Sequence, residues 1–121
     1  MNYRTKPQFN FVALHSYNGY NPDTFKELIN NVTKKFNKPI WITEFACQDN
    51  ADSTSKPFNQ TVVNHFIDTV IPFLENHGNV LRYAWHSADA GTSALWTANG
   101  ELTETGKRYA NAARLNSLKA E

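Results

Sequence analysis

From Phe25 onward the apolar residues Leu28, Ile29, Val32 and Phe36 return every three or four positions, which predicts a helix with one apolar face. Asn21 and Pro22, just upstream, supply an N-cap and a proline at the first helical position. From Phe58 a second stripe joins Val62, Phe66, Ile67, Val70, Ile71 and Leu74 and stops at His77-Gly78, with Pro72 expected to kink or restart it. Around these helices the pattern changes. "FNFVALHSY" and "NVLRYAW" read as β-rich runs, and "PIWITEFA" is a near-continuous apolar segment, typical of a strand covered on both faces. A polar loop, "HSADAGTS", and an Asn99-Gly100 turn follow, and Thr103 can cap a last helix containing Tyr109, Ala110, Ala113 and Leu118.

The order is strand, helix, strand, helix, strand, turn, helix, without internal repeats or low-complexity segments. Such alternation predicts an α/β fold with parallel strands, whose C-terminal ends lie on one edge and whose ligand sites gather there. That edge would carry His15, Ser16 and Tyr17 from the first strand, Glu44 through Gln48 from the second, and Trp85 through Asp89 from the third. Residues 1–8 are polar and end just after Lys6-Pro7, reading as a linker or a cut end, with the folded unit over 9–121.

Composition narrows the functional classes. With 121 residues, 40% hydrophobic and 13% aromatic, the chain holds enough apolar side chain for one core. A net charge of +1 with dispersed lysines and arginines offers no footprint for nucleic acid or an anionic membrane. The sequence has no apolar run of the ~20 residues that span a bilayer, and "MNYRTKPQFN" lacks the apolar block of a signal peptide, so an export signal is expected upstream or not at all. Cys47 is the single cysteine, which excludes an internal disulfide. The sequons Asn31-Val32-Thr33 and Asn59-Gln60-Thr61 are no more than composition alone produces.

The unusual residue is Glu44, a carboxylate at the end of an apolar strand. A buried lone carboxylate costs several kcal/mol unless hydrogen-bonded or neutralised, so a polar pocket at the strand tip is the expected setting. By alternation, an inward Glu44 shares its face with Ile42, leaving Trp41 and Thr43 toward the helices. The competing reading is a structural acid that caps a helix or pairs with Arg82. Tyr17 and Trp85, each ending a strand, can serve as flat walls on which sugar rings dock, with His15 and His86 at the same rim; each of these residues is equally compatible with a packing role. A metal held by His15, Glu44 and His86 lacks a tight ligand spacing, and neither a serine-nucleophile elbow nor a phosphate loop occurs. No cofactor or metal is expected.

Taken in order, "ALHSYN", "PIWITEFAC", "RYAWHSAD" about thirty-five residues later and "LWTANGELTETGKRY" resemble the C-terminal half of the glycosyl hydrolase catalytic core family that includes fungal alkali-sensitive linkage proteins, glycoside hydrolase family 128. The resemblance spans roughly residues 9 to 110. It implies a partial (β/α)8 TIM barrel, three βα units matching strands six to eight, and β-1,3-glucan of the cell wall as substrate, cleaved with retention. It further implies Glu44 as nucleophile, His15 and Tyr17 as cleft residues, Trp85 as the aromatic beneath the reacting sugar and an extracellular or cell-wall location.

His86 and Ser16 depart from the pattern, standing where aromatics are expected. The family's acid/base glutamate belongs to the half not represented here, and Asp49, Asp52 and Asp89 carry no replacing motif. Barrels of this kind need ~250 residues. The isolated chain is therefore expected to be inactive, and to be completed by a missing N-terminal barrel half or by self-association through open edges. Two other readings stay open: a non-catalytic glucan-binding cell-wall protein, and a small self-contained α/β domain in which Glu44 is structural.

Overall fold

The computed structural model describes residues 7–49, 58–86 and 91–119, so the expected linker at 1–8 and the loop acids Asp52 and Asp89 fall largely or wholly outside the described residues. In chain order the elements are β1 (Val12–Ser16), β2 (Asn18–Gly19), α1 (Pro22–Phe36), β3 (Ile40–Phe45), β4 (Gln48–Asp49), α2 (Gln60–Asn76), β5 (Val80–Trp85), a short 3-10 turn (Gly91–Ser93) and α3 (Glu104–Lys119). β1, β3 and β5 form a parallel sheet in the order β1-β3-β5, while β2 and β4 pair as an antiparallel ribbon beyond the tips of β1 and β3.

Helix boundaries follow local chemistry. The Asn21 side chain accepts a hydrogen bond from the Asp23 N–H at 2.9 Å, and Asn37 closes α1 in the left-handed conformation. Asn59 caps α2 by accepting from the Val62 N–H at 3.0 Å. Thr103 caps α3, its hydroxyl oxygen accepting from the Gly106 N–H at 2.9 Å. Pro72 does not restart α2, which continues past it to Asn76. Val70, Ile71 and Leu74 on either side of it are all buried, and that burial outweighs the missing backbone donor.

The core lies between one face of the sheet and the helices. Ile40, Ile42 and Phe45 of β3 meet Phe25 and Ile29 of α1 and Val63, Phe66, Ile67, Val70, Ile71 and Leu74 of α2, all buried. α3 docks through Ala112 and Gly106; a Cβ at Gly106 would lie 2.2 Å from the Leu95 carbonyl oxygen, so only glycine permits this approach.

Two irregularities set which side chains face where. In β5 an extra residue separates the pairs Ile40–Val80 and Trp41–Arg82, leaving Leu81 61% exposed. In β3 Leu14 and His15 are partnered by Ile42 and Glu44, and the span Ile42 to Phe45 is matched by Tyr83 to Trp85, so β3 carries one extra residue before its tip. Ile40, Ile42 and Phe45 thus all reach the helical layer although their spacing breaks strict alternation. Trp41 and Thr43 occupy the opposite, open face, reversing the expected sidedness of Ile42, Trp41 and Thr43. Among the described residues β3 is covered by helices on one side only.

On that open face Trp41 stacks on Phe11, with ring centroids 4.4 Å apart, and Arg82 lies 5.5 Å from the indole centroid. A groove of about 510 Å³ runs between Trp41 and Thr43 of β3 and Arg82 and Ala84 of β5. The Trp41 Nε1–H is buried without a hydrogen-bond partner.

Candidate functional site

The three strand tips bring Glu44, His15, Tyr17 and His86 together. The bulge in β3 turns Glu44 to the open side of the sheet, where its side chain is 34% exposed. The Tyr17 hydroxyl donates to Glu44 Oε2. His15 Nδ1 lies 3.5 Å from the same oxygen, and the His86 ring meets Tyr17 edge-on with centroids 6.0 Å apart. The backbone fixes this geometry, because the His86 N–H donates to the Phe45 carbonyl at 2.9 Å and the Ala46 N–H to the Ser16 carbonyl at 3.2 Å.

The electrostatics favour an ionised acid. The Tyr17 hydrogen bond holds the Glu44 carboxyl below the usual carboxylate range, partial burial opposes it, and the nearby His15 and His86 add further lowering. In return the Tyr17 phenol is pushed up to about 12, by burial first and then by Glu44. Arg82, the alternative partner considered for Glu44, stacks on Trp41 instead. The structural-acid alternative thus loses its named salt bridge. Among the described residues no group of three His, Cys, Asp or Glu side chains is arranged to hold a metal ion.

Trp85 departs from its expected place. Rather than floor the cleft, its indole turns into the helical layer, 7% exposed, with Nε1–H donating to the Ser93 carbonyl at 2.8 Å. It packs edge-on against Phe45, centroids 5.4 Å apart, and beside Phe66 and Tyr109. The cause is register: Trp85 pairs with Phe45, and both follow the core-facing phase of the sheet. Ser16 is likewise buried on that side. The open tip of β5 is therefore represented by His86. Cys47 is also buried, and burial pushes its thiol up to about 12, away from nucleophile chemistry.

Residues 1–109 match the family model described as the glycosyl hydrolase catalytic core. The chain belongs to that family. Alkali-sensitive linkage protein 1 of Schizosaccharomyces pombe is 32% identical over 109 residues, an alignment covering 84% of this chain and 20% of that protein. Among solved structures, a glycoside hydrolase family 128 (subgroup VII) oligosaccharide-binding protein from Cryptococcus neoformans matches with a TM-score of 0.74 and 30% identity, over 91% of this chain and 43% of the other. An endo-β-1,3-glucanase of subgroup I from Amycolatopsis mediterranei, in complex with laminaritriose and laminaribiose, gives a TM-score of 0.76 at 25% identity, over 87% of this chain and 46% of that one. This member of the glycosyl hydrolase core family thus spans less than half the length of these solved relatives. Its three parallel strands and their helices form part of a barrel of the family 128 kind.

Proposed function

We propose that this chain supplies the nucleophile side of a retaining glycoside hydrolase acting on β-1,3-glucan, with Glu44 as the nucleophile. The observation that carries the reading is the Tyr17 hydroxyl donating to Glu44 Oε2, which keeps one carboxylate ionised at an open strand tip. Retention requires such a carboxylate roughly 5 Å from a protonated one. The ionised oxygen of Glu44 bonds to the anomeric carbon as the glycosidic C–O bond breaks, and the leaving oxygen takes its proton from the partner acid. Water, deprotonated by that same partner, then releases the sugar and restores the carboxylate.

His15, Tyr17 and His86 would line the sugar site around Glu44, while Trp85 acts from behind by fixing the tip of β5. The partner acid is expected on polypeptide that closes the open face of the sheet, and without it the chain should hydrolyse nothing. A cell-wall polymer as substrate implies action outside the cell. The experiment is Glu44→Gln in a protein containing the complete barrel: hydrolysis of β-1,3-glucan should vanish while oligosaccharide affinity stays within a few-fold. Near-normal turnover would remove Glu44 from this role.

A second reading, a non-catalytic glucan-binding protein, is favoured by the 30% identity to an oligosaccharide-binding member of the family. Pulldown on insoluble β-1,3-glucan with hydrolysis measured in parallel on the complete protein separates them, because binding without turnover supports only the second.

A further inference from the structure

Tyr20 and Phe58 stand in the same position relative to two successive helices. Each directly precedes the N-cap, Asn21 for α1 and Asn59 for α2, at the sheet edge that carries Glu44. A residue there commonly packs against the fourth residue of its own helix, here Phe25 and Val63, both already buried in the core. Tyr20 instead remains 58% exposed and meets Phe58 at 5.3 Å between centroids and 67° between planes. Phe58 is anchored from below, partly buried against the core, with its carbonyl accepting from the Thr92 hydroxyl at 2.6 Å. On the other side the β2-β4 ribbon, pairing Gly19 with Gln48, fixes the backbone just before Tyr20, and Gly19 takes φ +86 to make the bend.

The result is an exposed aromatic ring that meets Phe58 on one side and springs from a backbone pinned by the ribbon. Such a ring presents a π-face, to which the C–H faces of pyranose rings bind with little ordering cost. We propose that Tyr20, braced by Phe58, is an additional stacking platform for a β-1,3-glucan chain that runs across the rim from the Glu44 pocket. The inference rests on the glucan reading of that pocket. Tyr17 and Tyr20 are separated by at most about 11 Å of backbone, so a chain leaving Tyr17 reaches the platform within a short stretch of oligosaccharide. A disaccharide seated at Glu44 has at most one sugar left over to meet it.

The test is titration calorimetry of laminaribiose and laminarihexaose against a protein containing the complete barrel, its Tyr20→Ala variant and its Tyr20→Trp variant, with thermal unfolding measured on each. The platform predicts that Tyr20→Ala weakens laminarihexaose at least about fivefold, weakens laminaribiose distinctly less, leaves the unfolding midpoint unchanged, and that Tyr20→Trp keeps the hexasaccharide affinity. Equal hexasaccharide affinity in Tyr20→Ala and wild type, or an equal loss for both sugars, overturns the platform and leaves the reading of the Glu44 pocket intact. A wild-type protein with the complete barrel that binds neither sugar overturns both.

Discussion

Tyr17 and Glu44, twenty-seven residues apart in sequence, share a hydrogen bond in which the phenol is the donor and Oε2 the acceptor. Because the carboxyl is held below its usual range, this contact stabilises the fold fully above the unfolded carboxylate pKa and is lost as pH falls through the lower, folded value. Tyr17→Phe should therefore cost stability at neutral pH and nothing in strong acid, and the Glu44 carboxyl should titrate at higher pH. Carbon-detected titration of the glutamate side chains, with urea unfolding at several pH values, checks both.

The reciprocal effect lies on Tyr17, whose phenol is raised to about 12. Glu44→Gln should bring it down, but only in part, since burial is the larger cause and persists. Spectrophotometric titration of tyrosinate, with Tyr17→Phe identifying the signal, measures the change. A phenol unmoved by Glu44→Gln would mean that the hydrogen bond does not form in solution.

Trp85 provides a test of core against cleft. Its burial among Phe45, Phe66 and Tyr109 predicts that Trp85→Ala destabilises the fold by ~3–5 kcal/mol, with Trp85→Phe losing much less. Denaturant unfolding of the two variants is sufficient. If Trp85→Ala unfolds like wild type yet loses sugar, the indole faces the ligand after all.

At the α3 junction, Gly106→Ala must displace the Leu95 carbonyl and is expected to cost about 1–3 kcal/mol, although alanine favours helices elsewhere. Thr103→Ala removes the N-cap and should cost about 1 kcal/mol. Thermal unfolding of both variants reads these losses directly.

Cys47 should resist alkylation in the native chain and react on unfolding, because its thiol is buried and raised to about 12. Mass spectrometry after iodoacetamide treatment, with and without urea, checks this. Native labelling at neutral pH would show the tip of β3 to be open.

Residue pattern alone makes much of this architecture legible. The spacing of Phe25, Ile29, Phe66, Ile67 and Leu74 announces two core-facing helices, and the alternation of elements announces a parallel sheet with Glu44, Tyr17, His15 and His86 at one edge. What pattern cannot supply is the phase of a strand that contains an extra residue. Counting by twos sends Trp41 toward the helices and leaves Trp85 free for the cleft; the irregularities at Leu81 and before Glu44 do the reverse. The β2-β4 ribbon was equally hidden, since strands of two polar residues have no periodicity to read. The Phe11-Trp41-Arg82 stack joins β3, β5 and the residue just before β1, so only the assembled sheet reveals it.

The extra residue in β3 also separates two kinds of selection within a six-residue strand. Upstream of it, Ile40 and Ile42 answer only to volume and shape in the interior, and can drift among aliphatic residues without rotating the acid. Downstream, the direction of Glu44 is set by neighbouring backbone rather than by the stem. Were the six residues to run in plain alternation, Glu44 would share the face of Ile42 and turn into the interior while Phe45 turned out, so the strand's departure from alternation, and not its residue types, aims the acid.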